Sequence, residues 1–87
     1  MAASRDDYPE VEVFREPDGI IAVVTRKAGT NYLGFSFQKE FERDGKIVRT
    51  AFLNRRHIAS VRRLIARVEE YLDAESERVA AASASKR

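Results

Sequence analysis

The side chains that most often carry catalysis are scarce in this chain. The chain has one histidine, His57, and no cysteine, so neither a Cys–His pair nor a thiolate metal site can form. Paired carboxylates occur at Glu40 and Glu42 and at Glu69 and Glu70, and both pairs are expected to be surface groups of a strand or a helix. His57 is expected to be a partly exposed surface residue. The sequence therefore predicts a non-enzymatic protein without a cofactor or a metal centre.

Positive charge is the more informative feature, because it is concentrated in one part of the chain. Residues 19–67 contain eleven Lys and Arg against three Asp and Glu. Residues 1–18 contain two against six, and residues 68–87 contain three against five. The formal net charge of +2 thus hides a basic block between acidic ends. A basic folded segment predicts a polyanionic partner, most commonly nucleic acid.

The candidate nucleic-acid contacts combine cations with one aromatic side chain. The cations are able to follow a phosphate backbone, and Tyr32, which the predicted register places on the polar face of a sheet, can stack on a base. A competing interpretation is that the charges only solvate a small domain. The candidate residues are Arg26, Lys27, Tyr32, Lys39, Arg43, Lys46, Arg49, Arg55 and Arg56.

Turn motifs divide the first two thirds of the chain into four predicted strands. Pro-Asp-Gly at residues 17–19 joins Val11–Glu16 to Ile20–Lys27, and residues 28–31 form a second turn. Asp-Gly at residues 44–45 is the strongest hairpin signal, because a type I′ turn needs a positive φ at both central positions.

The two-residue turn at residues 44–45 also predicts the register of the last two strands. On the opposite face of this hairpin, Glu40 is expected to lie across from Arg49. The two cations beside the turn form either a solvated tip or part of a phosphate contact. The pairs expected on the first face are Arg43–Lys46, Phe41–Val48, Lys39–Thr50 and Phe37–Phe52.

After Leu53 the apolar periodicity changes from two to 3.6, which predicts an amphipathic helix from Arg55 to Asp73 that frays toward Val79. Asn54 is a favourable N-cap. The predicted fold is α+β, with a four-stranded antiparallel sheet followed by one long helix (β-β-β-β-α). The apolar stripe expected to form the core or a dimer face contains Ile58, Val61, Leu64, Ile65, Val68 and Leu72.

The chain is expected to form a single domain over residues 10–79, between a flexible acidic tail at residues 1–9 and a flexible tail at residues 80–87. A domain near this size buries only roughly 60% of the surface that its unfolded chain exposes, so its stability is marginal. Because no disulfide can stabilise this chain, we expect it to form a homodimer. The lack of cysteine fits a reducing compartment, and no apolar run approaches the roughly 20 residues that span a membrane. The predicted location is cytoplasmic or nucleoid-associated, or nuclear in a eukaryote.

The sheet face away from the helix is predicted to carry more apolar surface than a face in water normally keeps. A second subunit, a ligand or nucleic-acid bases are expected to cover it. A protein partner on this face would instead indicate a small interaction or regulatory module. The residues concerned are Val11, Val13, Ile21, Val23, Ile47 and Leu53.

The charges of the predicted helix oppose its dipole. Arginines come early and acids late, although the reverse order stabilises a surface helix by about 0.3–1 kcal/mol per charge. Two explanations of this charge order stay open. One is that an anion binds near the N-terminus of the helix. The other is that Arg55, Arg56 or Arg62 pairs with acids of the first strand, such as Glu10 or Glu12.

The strand Tyr32–Phe41 (YLGFSFQKEF) is followed by the Asp-Gly turn, a strand that ends in Ala-Phe-Leu-Asn at residues 51–54, and the helix. Over residues 10–73 this order resembles the positive cofactor four family of single-stranded-DNA-binding transcriptional coactivators and, more distantly, whirly and Pur-type domains. The resemblance implies a homodimer with helices packed between the subunits, and curved sheets that grip single strands through basic and aromatic side chains. The basic block, Tyr32 and the dipole-opposed arginines together predict a domain that binds single-stranded DNA or RNA and acts in transcription or DNA maintenance. It implies binding positions at Lys27, Tyr32, Lys39, Lys46 and Arg49.

Overall fold

The structure, a computed structural model, describes the backbone of residues 7–85 and the side chains of residues 7–82. It is a four-stranded antiparallel sheet followed by one helix, which confirms the predicted fold class. Residues 1–6, most of the predicted N-terminal tail, lie outside the described part. The elements are β1 (Glu10–Arg15), β2 (Ile20–Arg26), β3 (Leu33–Arg43), β4 (Lys46–Thr50), a 3-10 turn (Arg55–His57) and α1 (Ile58–Ser85).

The strands follow one another in the sheet in chain order, so every connection is a hairpin. Asp44 and Gly45 have φ angles of 51° and 76°, as the predicted type I′ turn requires. Gly19 has a φ of 90°, and a Cβ built on it would lie 2.8 Å from the Glu40 carbonyl oxygen. A side chain at Gly19 would therefore displace the backbone of β3.

The register of the β3–β4 hairpin agrees with prediction except at its open end. The predicted Phe37–Phe52 pair is wrong, because β4 ends at Thr50 and the chain then leaves the sheet toward the helix. The Phe52 side chain is consequently 90% exposed. The confirmed pairs are Arg43–Lys46, Phe41–Val48, Lys39–Thr50 and Glu40–Arg49.

The core lies between α1 and β2. Ile20, Ala22 and Val24 point to the helix and are fully buried against Leu64 and Val68. Burial of each large aliphatic side chain contributes about 1.5–3 kcal/mol. The partly buried side chains packed around this centre are Phe14, Leu33, Phe37, Leu53, Val61, Tyr71 and Leu72.

The helix differs from its prediction at both ends. Its first predicted turn is a 3-10 turn, and α1 itself runs for 28 residues to Ser85 rather than ending near Asp73. Residues 80–85, predicted as part of a flexible tail, are helical, since alanine has the highest helix propensity and neither Pro nor Gly interrupts the segment. At 1.5 Å per residue the helix is about 42 Å long. Within residues 7–85 no helix is long and apolar enough to cross a membrane.

The outer face of the sheet, meaning the face away from α1, exposes less apolar surface than predicted. Ile21 and Val23 are only 1% and 2% exposed, whereas Ile47 is 64% exposed. The placement of Leu53 on this face is wrong, because residues after β4 cross to the helix side and Leu53 packs against the core there. Val11 is 36% exposed beside a bulge in β1.

Candidate nucleic-acid interface

The face of the β3–β4 hairpin that continues the helix side of the sheet carries alternating cations and apolar side chains. Lys39 pairs with Ile20 of the core, so alternate β3 residues from Lys39 onward share the side of the sheet on which α1 packs. We call this set the hairpin row. Its members are Lys39, Phe41 and Arg43 on β3 and Lys46, Val48 and Thr50 on β4.

The cations of the hairpin row have no carboxylate partner among the described residues. Arg43 and Lys46 are exposed and Lys39 is half-buried, and no Asp or Glu in the described part of the chain forms an ion pair with any of them. Arg43 and Lys46 are direct cross-strand neighbours, and like charges in that position are destabilising. An anion bound between them would remove this repulsion.

Two further candidate cations stand at the start of the helix, where a side-chain cap organises the backbone. The Arg56 N–H donates to Asn54 Oδ1 (2.9 Å), and the Asn54 N–H donates to His57 Nδ1 (3.1 Å). The expectation of a partly exposed His57 is wrong, since this capping role leaves the ring only 6% exposed. The cap holds Arg55 and Arg56 outward, and both are exposed.

Arg49 lies on the outer face, opposite the hairpin row, and is fully engaged. It donates to Glu10 Oε2 (2.7 Å) and to Glu40 Oε2 (3.2 Å), and Glu40 also accepts from Arg15 (3.4 Å). Burial raises the pKa of Glu40, but the hydrogen bonds from Arg49 and Arg15 outweigh it and hold that pKa below its ordinary value. The predicted Glu40–Arg49 pair is thus confirmed. Arg49 lies on the face of the sheet opposite to the cations of the hairpin row.

The outer-face network spans the sheet. Glu10 is on β1 and Arg49 on β4, the two edge strands, which a flat sheet would hold about 14 Å apart. Between them is a groove of about 680 Å³ whose lining includes Val23, Ser36 and Gln38. Its charges are already compensated within the protein.

Arg26, Lys27 and Tyr32 lie at the other end of β3 from the hairpin turn. β3 has 11 residues, so its ends are roughly 33 Å apart. Arg26 pairs with Glu75 of the helix (3.7 Å), and its Nε is buried without a hydrogen-bond partner among the residues that the structure describes. Tyr32 precedes β3, is 68% exposed and borders a cleft of about 440 Å³ beside the C-terminal half of α1. The predicted set therefore divides among four places, which are the hairpin row, the start of the helix, the outer face and this end of β3.

Other helix arginines do bind acids of the N-terminal block, although not the predicted ones. Arg63 pairs with Glu16, and Arg67 lies 3.9 Å from the same carboxylate and 4.8 Å from the centre of the Phe14 ring. Among the residues that the structure describes, Arg55, Arg56 and Arg62 form no ion pair.

Sequence reasoning missed a buried polar contact where the β1–β2 turn meets the helix. The Ser60 hydroxyl is 3% exposed and donates to Asp18 Oδ2 at 2.6 Å. This hydrogen bond, together with one from the Ile20 N–H, lowers the pKa of Asp18 despite some desolvation. The two residues are 42 positions apart, and the only local signal was a serine at a position that faces inward.

The described residues contain no group of three or more His, Cys, Asp or Glu side chains that could hold a metal ion. Comparison with protein-family models, with curated proteins and with solved structures gives no match to this chain.

Proposed function

We propose that the protein is a non-enzymatic nucleic-acid-binding domain that favours single strands and acts in transcription or DNA maintenance. The observation that carries this proposal is the hairpin row, in which three cations without carboxylate partners in the described chain alternate with Phe41 and Val48. Such a row can bind a nucleic-acid strand in two ways, because its cations attract the phosphates and its apolar side chains can contact the bases.

Exposed aromatic rings favour single strands over a duplex. Phe35, on the helix side of the sheet, is 53% exposed, and Phe52, which follows the end of β4, is 90% exposed. An unpaired base has a free π-face, and stacking it on an aromatic side chain contributes about 1–3 kcal/mol. The bases of a duplex are already stacked and offer no such contact.

Fluorescence anisotropy with labelled single- and double-stranded oligonucleotides of one length tests this proposal. We expect tighter binding of the single strand and a log–log salt slope of about −2, since each of three phosphate contacts contributes about −0.7. Absence of binding at low salt, or equal affinity for both forms, would contradict it.

A paired variant locates the binding surface. Arg43→Gln with Lys46→Gln removes two phosphate contacts and should weaken single-strand binding about 25-fold at about 0.1 M salt. The matched control, Lys27→Gln with Arg78→Gln, removes the same charge at the other end of β3 and on the helix, and should leave affinity within about threefold. Equal losses in both variants would show that the hairpin row is not the sole binding surface, because the control contains Lys27, which the sequence also predicts as a contact.

The alternative function is a small protein-interaction module. The observation in its favour is a set of exposed apolar side chains on α1 and near it, which replaces the outer face as the candidate docking surface. Its members are Phe35, Phe52, Ile58 and Ile65. Failure of the oligonucleotide experiment, together with self-association through these residues, would favour this second function.

A further inference from the structure

The strand β4 is too short to cover the whole of β3. β3 runs from Leu33 to Arg43, whereas its pairing with β4 extends only over Lys39–Arg43. On its other side, β3 is paired with β2 along Leu33–Lys39. We call the side of residues 33–38 that faces away from β2 the free edge. The sheet therefore ends there at a strand that has a partner on one side and none of β4 on the other.

The main-chain groups at the free edge are those of Leu33, Phe35 and Phe37. The Glu40 N–H donates to the Gly19 carbonyl oxygen (2.8 Å), so Glu40 and every second residue from it bond toward the side of β2. The odd-numbered residues point the other way, and β4 pairs with none of them before Lys39. No hydrogen bond from a turn or a loop of the described chain reaches them. Their N–H and carbonyl groups are thus available to an added strand.

The free edge lacks the features that protect the outer edges of β1 and β4. β1 has a register shift between Glu10 and Glu12, and β4 is five residues long and carries Lys46 and Arg49. Charges, bulges and short length all discourage pairing with another chain. Residues 33–38 (LGFSFQ) contain no charged residue and no proline. The free edge is therefore the place where this sheet can accept another strand.

A groove with apolar walls lies on the helix side of the free edge. Phe35 of β3 and Ile65 of α1 are 53% and 48% exposed, and together with Leu72 they line a cavity of about 220 Å³. The cleft of about 440 Å³ continues from Leu72 along Leu33 and Val79. A strand placed beside β3 directs every second side chain to the helix side of the sheet. Those side chains would enter this groove.

Acidic side chains at the border of the groove favour a partner with positive charge. Glu69 and Asp73 line the cavity with Phe35, and both are exposed. Neither forms an ion pair with another described residue. A segment that carries Lys or Arg beside its apolar residues complements this charge. Residues 33–38 contain no cation, so β3 of a second copy does not offer it.

We propose that the free edge binds an extended segment of a partner protein by β-strand addition, and that this segment alternates apolar residues with residues that include Lys or Arg. Its main chain pairs with Leu33, Phe35 and Phe37, which provides affinity. Its apolar side chains enter the groove between β3 and α1, which provides selectivity. The bound segment continues the line of β4 along β3. This interaction does not depend on the proposed nucleic-acid binding.

Selection of peptides by the full chain, without nucleic acid, tests the proposal. The probe is a displayed library of random peptides of about ten residues, long enough to span the free edge. We expect the enriched peptides to have apolar residues at every second position and Lys or Arg among the others. A selection that enriches no peptide, or peptides without this alternation, would overturn the proposal.

Two matched variants locate the bound peptide. Phe35→Lys places a cation in the groove and should weaken binding of an enriched peptide about tenfold or more. Ile47→Lys makes the same kind of change on the outer face, where Ile47 is also exposed, and should leave affinity within about threefold. Equal affinities of the two variants would contradict binding at the free edge.

N-methylation of an enriched peptide tests pairing of the main chain. Of the two alternate sets of peptide amides, only the set that faces β3 donates hydrogen bonds, so methylation of that set should weaken binding about tenfold or more. Methylation of the other set is the matched control and should change affinity less than about threefold. Equal sensitivity of the two sets would show that side chains alone hold the peptide and would overturn strand addition.

Amide hydrogen exchange separates a partner peptide from a second copy of the chain. In the free protein the amides of Leu33, Phe35 and Phe37 should exchange rapidly, and the enriched peptide should slow them about tenfold or more. Slow exchange that increases with protein concentration in the absence of peptide would show that a second copy occupies the free edge, and would overturn the proposed occupant.

Removal of the acidic border tests the charge of the partner. Glu69→Gln with Asp73→Asn should weaken binding of a Lys- or Arg-containing peptide about fivefold at about 0.1 M salt. The matched control, Glu70→Gln with Glu77→Gln, removes the same charge from residues that line neither the cavity nor the cleft, and should have less than about a twofold effect. Equal effects of the two pairs would contradict recognition of the partner's cation by the groove.

Discussion

The two faces of the β3–β4 hairpin carry similar cations in opposite situations. On the helix side, Lys39, Arg43 and Lys46 have no ion-pair partner among the described residues. On the outer face, Arg49 is held by Glu10 and Glu40. A count of basic residues treats both faces alike, whereas only the first presents charge that an external anion can use without displacing a carboxylate.

The difference arises from strand alternation and from the neighbouring strands. Lys46 and Arg49 are three residues apart on β4 and therefore point to opposite faces. The outer face brings Glu40 of β3 and Glu10 of β1 within reach of Arg49. The helix side brings two cations together at the turn instead.

The largest expected effect comes from a substitution that breaks the network of ion pairs on the outer face. Arg49→Gln leaves Glu10 and Glu40 without their shared cation and should lower the free energy of unfolding by about 1–2 kcal/mol, because hydrogen bonds to charged groups are stronger than neutral ones but these carboxylates are partly solvated. Urea denaturation measures this change. Single-strand affinity should stay within about threefold of wild type. A large loss of affinity without a loss of stability would instead place Arg49 in the binding surface.

A substitution on the helix side should have the opposite pattern, lowering affinity and leaving stability unchanged. Lys39→Gln should lower single-strand affinity about fivefold at about 0.1 M salt, the contribution of one phosphate contact, and reduce the salt slope by about 0.7. The unfolding free energy should change by less than about 0.5 kcal/mol, since no ion pair in the described chain is lost. Anisotropy and urea denaturation of the same preparation check both parts. Unchanged affinity would remove Lys39 from the site.

The loss of folding stability at low pH should arise in part from the two acids whose carboxylates accept hydrogen bonds within the fold, Asp18 and Glu40. In the folded protein the pKa values of Asp18 and Glu40 are below their ordinary values of 3.8 and 4.5. Their stabilising contribution is therefore present above those values and is lost as the pH falls through the lower folded-state values. Thermal unfolding between about pH 5 and pH 3 should show this loss, and it should be smaller in Arg49→Gln, in which Glu40 loses a stabilising cation. Identical pH profiles would contradict the assignment of part of this sensitivity to Glu40.

The smallest expected effect concerns Phe52. Its ring is 90% exposed, so Phe52→Ala should change the unfolding free energy by no more than about 0.5 kcal/mol. Phe37→Ala is the matched control and should cost clearly more, because Phe37 packs against the core. A substantial loss of stability in Phe52→Ala would show that this ring is buried in the state present in solution, and its dependence on protein concentration would identify a dimer.

Much of the fold could be predicted because its signals are local. The Asp44-Gly45 turn set the register of two strands, and Asn54 marked where the chain begins its helical segment. The prediction was wrong at the ends of two elements, where the local sequence pattern and the observed structure do not end at the same residue. Alternation continued to Phe52 although pairing ends at Thr50, and the alanine-rich end remained helical to Ser85 although it offers little to a core.

The candidate site could be predicted only as a set of residues. By itself, the sequence determined the turns, the alternation of strand faces, the capped helix and the location of positive charge within residues 19–67, because these depend on neighbours within a few positions. Only the tertiary structure decided which of those cations are paired, since partners such as Glu10 and Arg49, or Glu16 and Arg63, are 39 and 47 residues apart. Such pairs form where the curvature of the sheet and the path of the helix bring distant side chains together, and this geometry depends on the packing of the whole chain.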